Sequence, residues 1–342
     1  MQNIASILII YTGGTIGMVK DLQTGSLQPV DFDRISKFMP VIDSLDYNME
    51  FISFDPLVDS SNMKPDFWVK LAGIIEENYD DFDGFVVLHG SDTMAYTASA
   101  LSFMLEDLCK PVILTGAQLP LGVVRTDGRD NIINSIEIAA AKKGERCLVP
   151  EVCIYFENQL LRGNRTTKIN AENFNAFMSG NYPALAQVGV HIKYNHNYIR
   201  QPEQRMLKVH KKLNPGVGIL KLFPGITSEV VESVLNAGNI RAVILETFGS
   251  GNAPTERWFL SALEKAIKKN LIILNVTQCK SGSVEIGLYE TSVDLGKIGV
   301  IGGYDITTES AVTKLMYLLG EGYDYHRIVE LLGESLRGEL TA

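Results

Sequence analysis

Short apolar runs recur along the whole chain, and segments with helical periodicity lie between them. An apolar run without alternating polar residues is typical of a strand that is buried on both faces of a parallel sheet. The alternation predicts an α/β fold with mostly parallel sheets flanked by helices. The predicted strands are 6–12, 84–90, 111–117, 152–158, 216–223, 241–249, 271–278 and 298–303. The predicted helices are 93–108, 129–142, 227–237, 255–269 and 307–319.

Within the predicted helix 93–108, apolar residues recur at spacings of three and four. Such spacing predicts an amphipathic helix with one face on the core. The stripe consists of Met94, Ala98, Leu101, Leu105 and Leu108.

A polar segment divides the pattern into two parts. The chain has 342 residues, a length that suits roughly two domains. The segment contains a proline and ends in basic residues before "NPGVG". We expect an N-terminal α/β domain over 1–193 that carries the catalytic residues, a linker over 194–213 and a smaller C-terminal α/β domain over 214–342.

Charge and cysteine usage exclude several classes of function. Lys plus Arg number 31 and Asp plus Glu number 40, which gives a net charge of −9. An acidic chain is a poor candidate for binding nucleic acid or an anionic membrane surface. The four cysteines are scattered and the five histidines show no helical pairing, so we expect no metal site. Without a signal-like or membrane-spanning run, the predicted location is the cytoplasm.

Several predicted strands end in segments rich in glycine, hydroxyl groups and charge. These are "YTGGTIG", "HGSDT", "TGAQ" and, further on, "RGNRTTK". Ligands of parallel α/β sheets bind at the carboxyl ends of the strands, so hydroxyls, a carboxylate and a lysine can converge there. Each feature also has a plainer interpretation: glycines that permit a tight turn, Ser91 and Asp92 as a helix cap, and Lys168 as a surface charge. His89 fits a core residue with satisfied hydrogen bonds better than a ligand.

In combination, these motifs resemble the bacterial L-asparaginases, and specifically the cytoplasmic type I branch. The resemblance covers almost the whole chain and implies the two-domain asparaginase/glutaminase-like fold. The motifs that carry it are "TGGTIG", "HGSDTM", "GNRTTK", "DSSNM" (59–63), "AYTASALSFMLEDL" (95–108), "TGAQLPL" (115–121), "GNAP" (251–254), "TQCKSG" (277–282) and "LRGEL" (336–340).

The resemblance implies hydrolysis of L-asparagine to L-aspartate and ammonia. It makes Thr15 the nucleophile that forms an aspartyl ester, while Thr12 holds the turn. Ser91, Asp92 and Lys168 form the second catalytic cluster, in which Ser91 relays protons. The substrate-binding residues that it implies are Asp59, Ser60, Ser61, Gly14, Gly90 and Ala117, with the Ala117 backbone facing the side-chain amide and Asp92 taking the α-ammonium. No cofactor or metal is implied, and the expected assembly is a homodimer or homotetramer.

Three departures from the family pattern keep alternatives open. Ser91 stands where the family has threonine, which removes the methyl group that restricts χ1. The segment "QTGSLQPV" (23–30) lacks the tyrosine that the family often carries there. Of the positions that form a second, effector site in some type I enzymes, Thr167 and Cys279 match, but Glu246 replaces an arginine. The alternatives are an enzyme of broader amide specificity that includes glutamine, an asparagine-binding sensor of low activity, and an esterase that uses Ser91 with a histidine.

Overall fold

The structure is a computed structural model that describes residues 4–20, 27–29, 45–202, 205–285, 287 and 290–341. By its internal contacts the chain divides into two compact units, Met1–Lys211 and Lys212–Ala342. The division falls inside the segment 194–213, and the domain limits drawn from the sequence stay a prediction. Within the described ranges, no helix has both the length and the apolar character needed to cross a bilayer.

A mixed sheet of eight strands forms the centre of the first unit. The order of its strands is β15-β14-β11-β10-β7-β5-β1-β4. The five strands from β10 to β4 are parallel, and the other three continue the sheet in antiparallel fashion. These strands are β1 (Ser6–Tyr11), β4 (Asn48–Ser53), β5 (Gly84–Leu88), β7 (Val112–Thr115), β10 (Val152–Phe156), β11 (Gln159–Arg162), β14 (Ala186–Val188) and β15 (Ile192–Tyr194).

Short two-stranded pairs and three helices complete the described part of the first unit. The pairs are β2 (Met18–Lys20) with β3 (Leu27–Pro29), β6 (Leu105–Glu106) with β16 (Lys208–Val209), β8 (Lys142–Lys143) with β9 (Arg146–Cys147), and β12 (Thr167–Lys168) with β13 (Phe177–Met178). The helices are α1 (Pro65–Glu77), α2 (Met94–Met104) and α3 (Gly128–Ala140). Every residue of β5 and β10 is buried, as expected for strands covered on both faces.

The amphipathic pattern predicted for 93–108 is wrong. Ten of the eleven residues of α2 are buried, including three with hydroxyl groups. Because α2 packs against α1, β7, β10 and the 3₁₀ turn Gly163–Arg165, none of its faces is left to solvent. The helix also ends at Met104, four residues early, because Leu105 and Glu106 leave it to pair with β16, and Asp107 has a positive φ of 58°.

The second unit contains a four-stranded parallel sheet in the order β17-β18-β19-β20. Its strands are β17 (Val217–Lys221), β18 (Ala242–Thr247), β19 (Ile272–Thr277) and β20 (Ile301–Gly302), and its helices are α4 (Ser228–Leu235), α5 (Arg257–Ile267), α6 (Glu290–Lys297), α7 (Thr308–Gly320) and α8 (Tyr325–Leu332). The predicted strand 298–303 shortens to two residues. Elsewhere the strand-then-helix order follows the sequence prediction.

Candidate active site

The ends of β1 and β5 meet through bare backbone. A β-carbon on Gly14 would lie 2.4 Å from the α-carbon of Gly90, and one on Gly90 would lie 2.5 Å from the Ser60 hydroxyl oxygen. Gly13 and Gly14 also have positive φ values of 130° and 93°, which side chains disfavour. These glycines therefore bring three segments together: the turn with Thr15, the turn with Ser91, and the 3₁₀ turn Ser60–Asn62.

Thr12 holds the end of β1 in place. Its hydroxyl and its backbone N–H both donate to the Leu88 carbonyl oxygen at 3.0 Å. Its own carbonyl accepts from the Val58 N–H at 2.8 Å. Thr12 is 1% exposed and engaged, whereas Thr15, three residues on, begins a short 3₁₀ turn and is half-buried.

Lys168 joins the turn after β5 directly. Its Nζ donates to Ser91 Oγ at 2.8 Å and to Asp92 Oδ1 at 2.7 Å. The Lys168 side chain is 17% exposed, and that of Asp92 is 65% exposed. Ser91 and Asp92 do not cap α2, because the residue at its N-cap is Thr93, which makes no side-chain cap bond. Lys168 is not a solvated surface charge, because its side chain is mostly buried and bonded to both residues.

The turn at residues 59–62 is built around Asp59. Its Oδ1 accepts from the backbone N–H and from the hydroxyl of Ser61, each at 2.8 Å. The N–H first, and the hydroxyl second, hold the pKa of Asp59 below its usual value, so the carboxylate is ionised at neutral pH. The Thr93 hydroxyl donates to the Ser60 carbonyl at 2.7 Å and ties this turn to the start of α2.

His89 lies in the core behind this turn. Its Nδ1 donates to the Gly90 carbonyl at 2.7 Å, which leaves Nε2 as the acceptor for the Thr97 hydroxyl at 2.9 Å. Trp68 Nε1 donates to the same hydroxyl at 3.0 Å. Burial lowers the pKa of His89 to about 4, so the ring is neutral. His89 is thus a satisfied core residue, as the sequence indicated.

The end of β7 lies beside the end of β5. A β-carbon on Gly116 would lie 2.4 Å from the His89 carbonyl oxygen. Ala117 follows and is buried, and Asp127 accepts hydrogen bonds from the next two backbone N–H groups. Sequence analysis did not find Asp127; the signal was an aspartate at the start of α3, four residues before Asn131, next to a strand end.

The three candidate effector residues have other partners. Glu246 Oε1 accepts from the Thr308 hydroxyl at 2.7 Å, and its Oε2 lies 3.2 Å from Lys221 Nζ. Cys279 is exposed, and its N–H donates to the Thr277 hydroxyl oxygen at 3.0 Å. Thr167 is buried beside Lys168. Their role in an effector site stays a prediction.

Two further sequence expectations concern metals and the segment 23–30. In the part of the chain that the structure describes, no group of three or more His, Cys, Asp or Glu side chains could hold a metal ion. Of the segment 23–30, which lacks the family's tyrosine, only Leu27–Pro29 lies inside the described residues.

Comparison with known proteins gives consistent matches over both units. Residues 6–200 match the family described as "Asparaginase, N-terminal", and residues 216–332 match "Glutaminase/Asparaginase C-terminal domain". L-asparaginase 1 of Escherichia coli (strain K12) is 43% identical over 98% of each chain. The crystal structure of L-asparaginase I from Vibrio cholerae has a TM-score of 0.91 at 40% identity, covering 99% of this chain and 100% of that one. The Mus musculus protein named 60 kDa lysophospholipase is 39% identical over 98% of this chain and 62% of its own length.

Proposed function

This chain belongs to the glutaminase/asparaginase family, and from that premise we propose that it hydrolyses L-asparagine to L-aspartate and ammonia through an ester on Thr15. The Thr15 oxygen attacks the side-chain amide carbon, the C–N bond breaks, and the nitrogen leaves as ammonia with the threonine proton. Water then attacks the ester, which releases L-aspartate and returns the proton to Thr15.

The contact of Lys168 with both Ser91 and Asp92 is the observation that carries this proposal. Because the lysine donates to Ser91 Oγ, the hydroxyl proton of Ser91 is directed away from the lysine. A hydroxyl held in this way can pass a proton between the reacting groups and the lysine. Serine at position 91, where the family has threonine, therefore retains the hydroxyl oxygen that such a relay needs.

The charges around the site suit a small zwitterion. Lys168 engages one oxygen of Asp92, and the exposed carboxylate of Asp92 stays open to an α-ammonium group. Ser60 and Ser61 lie on the turn that Asp59 organises, and the Ser61 hydroxyl, which donates to Asp59, can still accept a hydrogen bond from an ammonium group. At Gly14 and Gly90 the lack of side chains lets the two strand ends and the Ser60 turn pack directly against one another.

The decisive experiment measures ammonia released from L-asparagine and from L-glutamine by the wild type, Thr15→Ser and Thr15→Ala. We expect release from asparagine by the wild type, reduced release by Thr15→Ser, which keeps a hydroxyl, and none above background by Thr15→Ala. Equal rates with glutamine would instead assign the broader amide specificity. Retained turnover in Thr15→Ala would favour an esterase-like use of Ser91, and binding of asparagine without turnover by the wild type would make the chain a sensor.

The proposal includes a cytoplasmic location and a homodimer or homotetramer. All four cysteines are free, in keeping with a reducing compartment. The family resemblance supports the assembly. Light scattering during size-exclusion chromatography would give the oligomeric state directly.

A further inference from the structure

The backbone on both sides of Ala117 is oriented by two side chains of the α3 region. Asp127 accepts from the Gln118 N–H, with its two oxygens at 3.1 and 3.0 Å, and from the Leu119 N–H at 3.1 Å. Asn131 Nδ2 donates to the Gly116 carbonyl at 2.9 Å and lies 3.3 Å from Asp127 Oδ2. Both peptide units that flank Ala117 therefore have one polar group fixed by a side chain.

Because the peptide bond is planar, these contacts also fix the directions of the Ala117 carbonyl and N–H. In a trans peptide the N–H and the C=O point opposite ways. Because the Gln118 N–H points at Asp127, the Ala117 carbonyl points away from Asp127. By the same rule, Asn131 directs the Ala117 N–H through its bond to the Gly116 carbonyl. Among the described residues, none makes a hydrogen bond with the backbone groups of Ala117 itself.

This oriented segment is fixed to the candidate active site at two points. Gly116 packs against the carbonyl of His89, which precedes the turn that carries Ser91. Further along, the Leu121 N–H donates to the Ile16 carbonyl at 3.3 Å, directly after Thr15. A shift of the Asp127 anchor would thus move the Ala117 carbonyl relative to the groups proposed to react.

We propose that Asp127 is a positioning residue that aims the Ala117 carbonyl at the side-chain amide of the substrate. The inference rests on the proposed function and deepens it. The carbonyl accepts a hydrogen bond from the amide NH₂ and so holds the scissile amide in line with Thr15. Correct placement of a reacting group contributes much of the rate of such reactions, and small displacements are costly.

The proposal predicts that loss of Asp127 affects the hydrolysis of an amide and of an ester differently. In L-aspartate β-methyl ester the leaving group is an oxygen without N–H, so the Ala117 carbonyl has nothing to accept. The ester nevertheless forms the same aspartyl ester on Thr15, with methanol leaving in place of ammonia. Loss of the Asp127 anchor should therefore slow the amide far more than the ester.

The test compares kcat/KM for L-asparagine and for L-aspartate β-methyl ester in the wild type, Asp127→Asn and Asp130→Asn. Asp127→Asn keeps the shape of the side chain but places an NH₂ group against the backbone N–H donors of Gln118 and Leu119. Asp130 is an exposed acid on the same first turn of α3, so its variant is a control of equal charge change. We expect the amide-to-ester ratio to fall about tenfold in Asp127→Asn, as for a lost hydrogen bond, and to stay unchanged in Asp130→Asn.

An unchanged amide-to-ester ratio would overturn the proposal. If both rates fell equally, Asp127 would have a structural role only. The ratio is taken within one sample, so it does not depend on the fraction of folded protein. If Asp127→Asn yields no folded protein, Asn131→Ser, which removes the donor to Gly116, must lower the same ratio. A wild type that releases no ammonia from asparagine would instead refute the proposed function, which is a distinguishable result.

Discussion

The α-carbon of Gly90 lies 2.4 Å from the place that a β-carbon on Gly14 would occupy. No side chain fits between these two strand ends, and φ at Gly14 is 93°. We expect Gly14→Ala to lose at least about 1–3 kcal/mol of unfolding free energy from backbone strain, and to lose ammonia release more steeply because Thr15 follows directly. Chemical denaturation and an ammonia assay measure the two effects.

Gly189 provides the matched control for that substitution. A β-carbon there would meet nothing within 4 Å, and Gly189 lacks a positive φ. Gly189→Ala should leave both activity and stability near the wild-type values. Wild-type activity in Gly14→Ala would show that the close contact is not needed for function.

Ser91 and Lys168 should act as one unit. We expect Ser91→Ala and Lys168→Met each to lower kcat by about 10²–10⁴, the usual range for loss of positioned proton transfer. Because the two groups are joined by a 2.8 Å hydrogen bond, the double variant should lose about as much as the worse single variant. Steady-state kinetics on all four proteins gives the coupling, and losses that simply multiply would argue against a relay.

Restoring the methyl group at position 91 should help the reaction. Ser91→Thr keeps the hydroxyl that contacts Lys168 and restricts χ1, whereas serine samples three rotamers. Fixing one rotamer of three corresponds to about a threefold gain in kcat. The measurement is kcat with L-asparagine at saturation. A fall in kcat would mean that the pocket lacks room for the methyl group.

Buried His89 should make folding stability sensitive to mild acid. Its folded-state pKa is about 4, against 6.5 without burial, so between those values the unfolded chain binds a proton that the folded chain does not. Stability is therefore lost as the pH falls through this window, by about 2 kcal/mol between pH 7 and pH 5.

Urea denaturation at pH 7 and at pH 5 measures this loss. His89→Gln should show a smaller difference between the two pH values, since glutamine does not titrate. His191→Gln changes an exposed histidine and should retain the wild-type difference. An equal difference in the wild type and in His89→Gln would exclude His89 as the cause.

A buried ion pair should control the stability of the second unit. Lys314 Nζ lies 2.6 Å from Glu339 Oε1, and both side chains are fully buried. Although burial alone raises it, the pKa of Glu339 is lowered by the Lys314 ammonium and by the N–H groups of Arg337 and Leu336. Lys314→Met should cost about 3–5 kcal/mol of unfolding free energy, because it leaves a buried carboxylate without its cation.

The double variant Lys314→Met/Glu339→Leu should recover part of that loss, because no buried charge remains. The exposed pair Arg327–Glu330, 2.9 Å apart, is the matched control, and Arg327→Ala should change stability little. Equal effects of Lys314→Met and Arg327→Ala in urea denaturation would contradict the prediction.

The sequence indicated the parallel core and its strand ends because strands that are buried on both faces consist of unbroken apolar runs. Edge strand β4 escaped notice, since four of its six residues are exposed and its sequence "NMEFIS" mixes polar and apolar types. Lys314 resembles a surface lysine on a helix, and its burial is explained by partners distant in sequence, the Glu339 carboxylate and the Glu334 carbonyl.

The candidate site divides in the same way. Thr15, Ser91 and Lys168 could be chosen as candidates from the sequence because their motifs are local and distinctive. Asp127 could not, because its proposed role is to orient the Ala117 carbonyl by accepting from the N–H of Gln118, nine residues before Asp127 in the chain. A contact between a side chain and a backbone N–H leaves no recognisable sequence motif, so it is found only in the folded structure.

The contact between Lys168 and Ser91 joins residues that lie 77 positions apart, and the Thr12 hydroxyl reaches Leu88 across 76 positions. During synthesis, a ribosome must therefore release the chain beyond Lys168 before the lysine can meet its partners. Until then the turn that carries Ser91 and Asp92 is without the lysine that it contacts in the folded chain. Contacts between residues so far apart in sequence slow folding, so we expect activity to arrive only once β12, which carries Lys168, has docked.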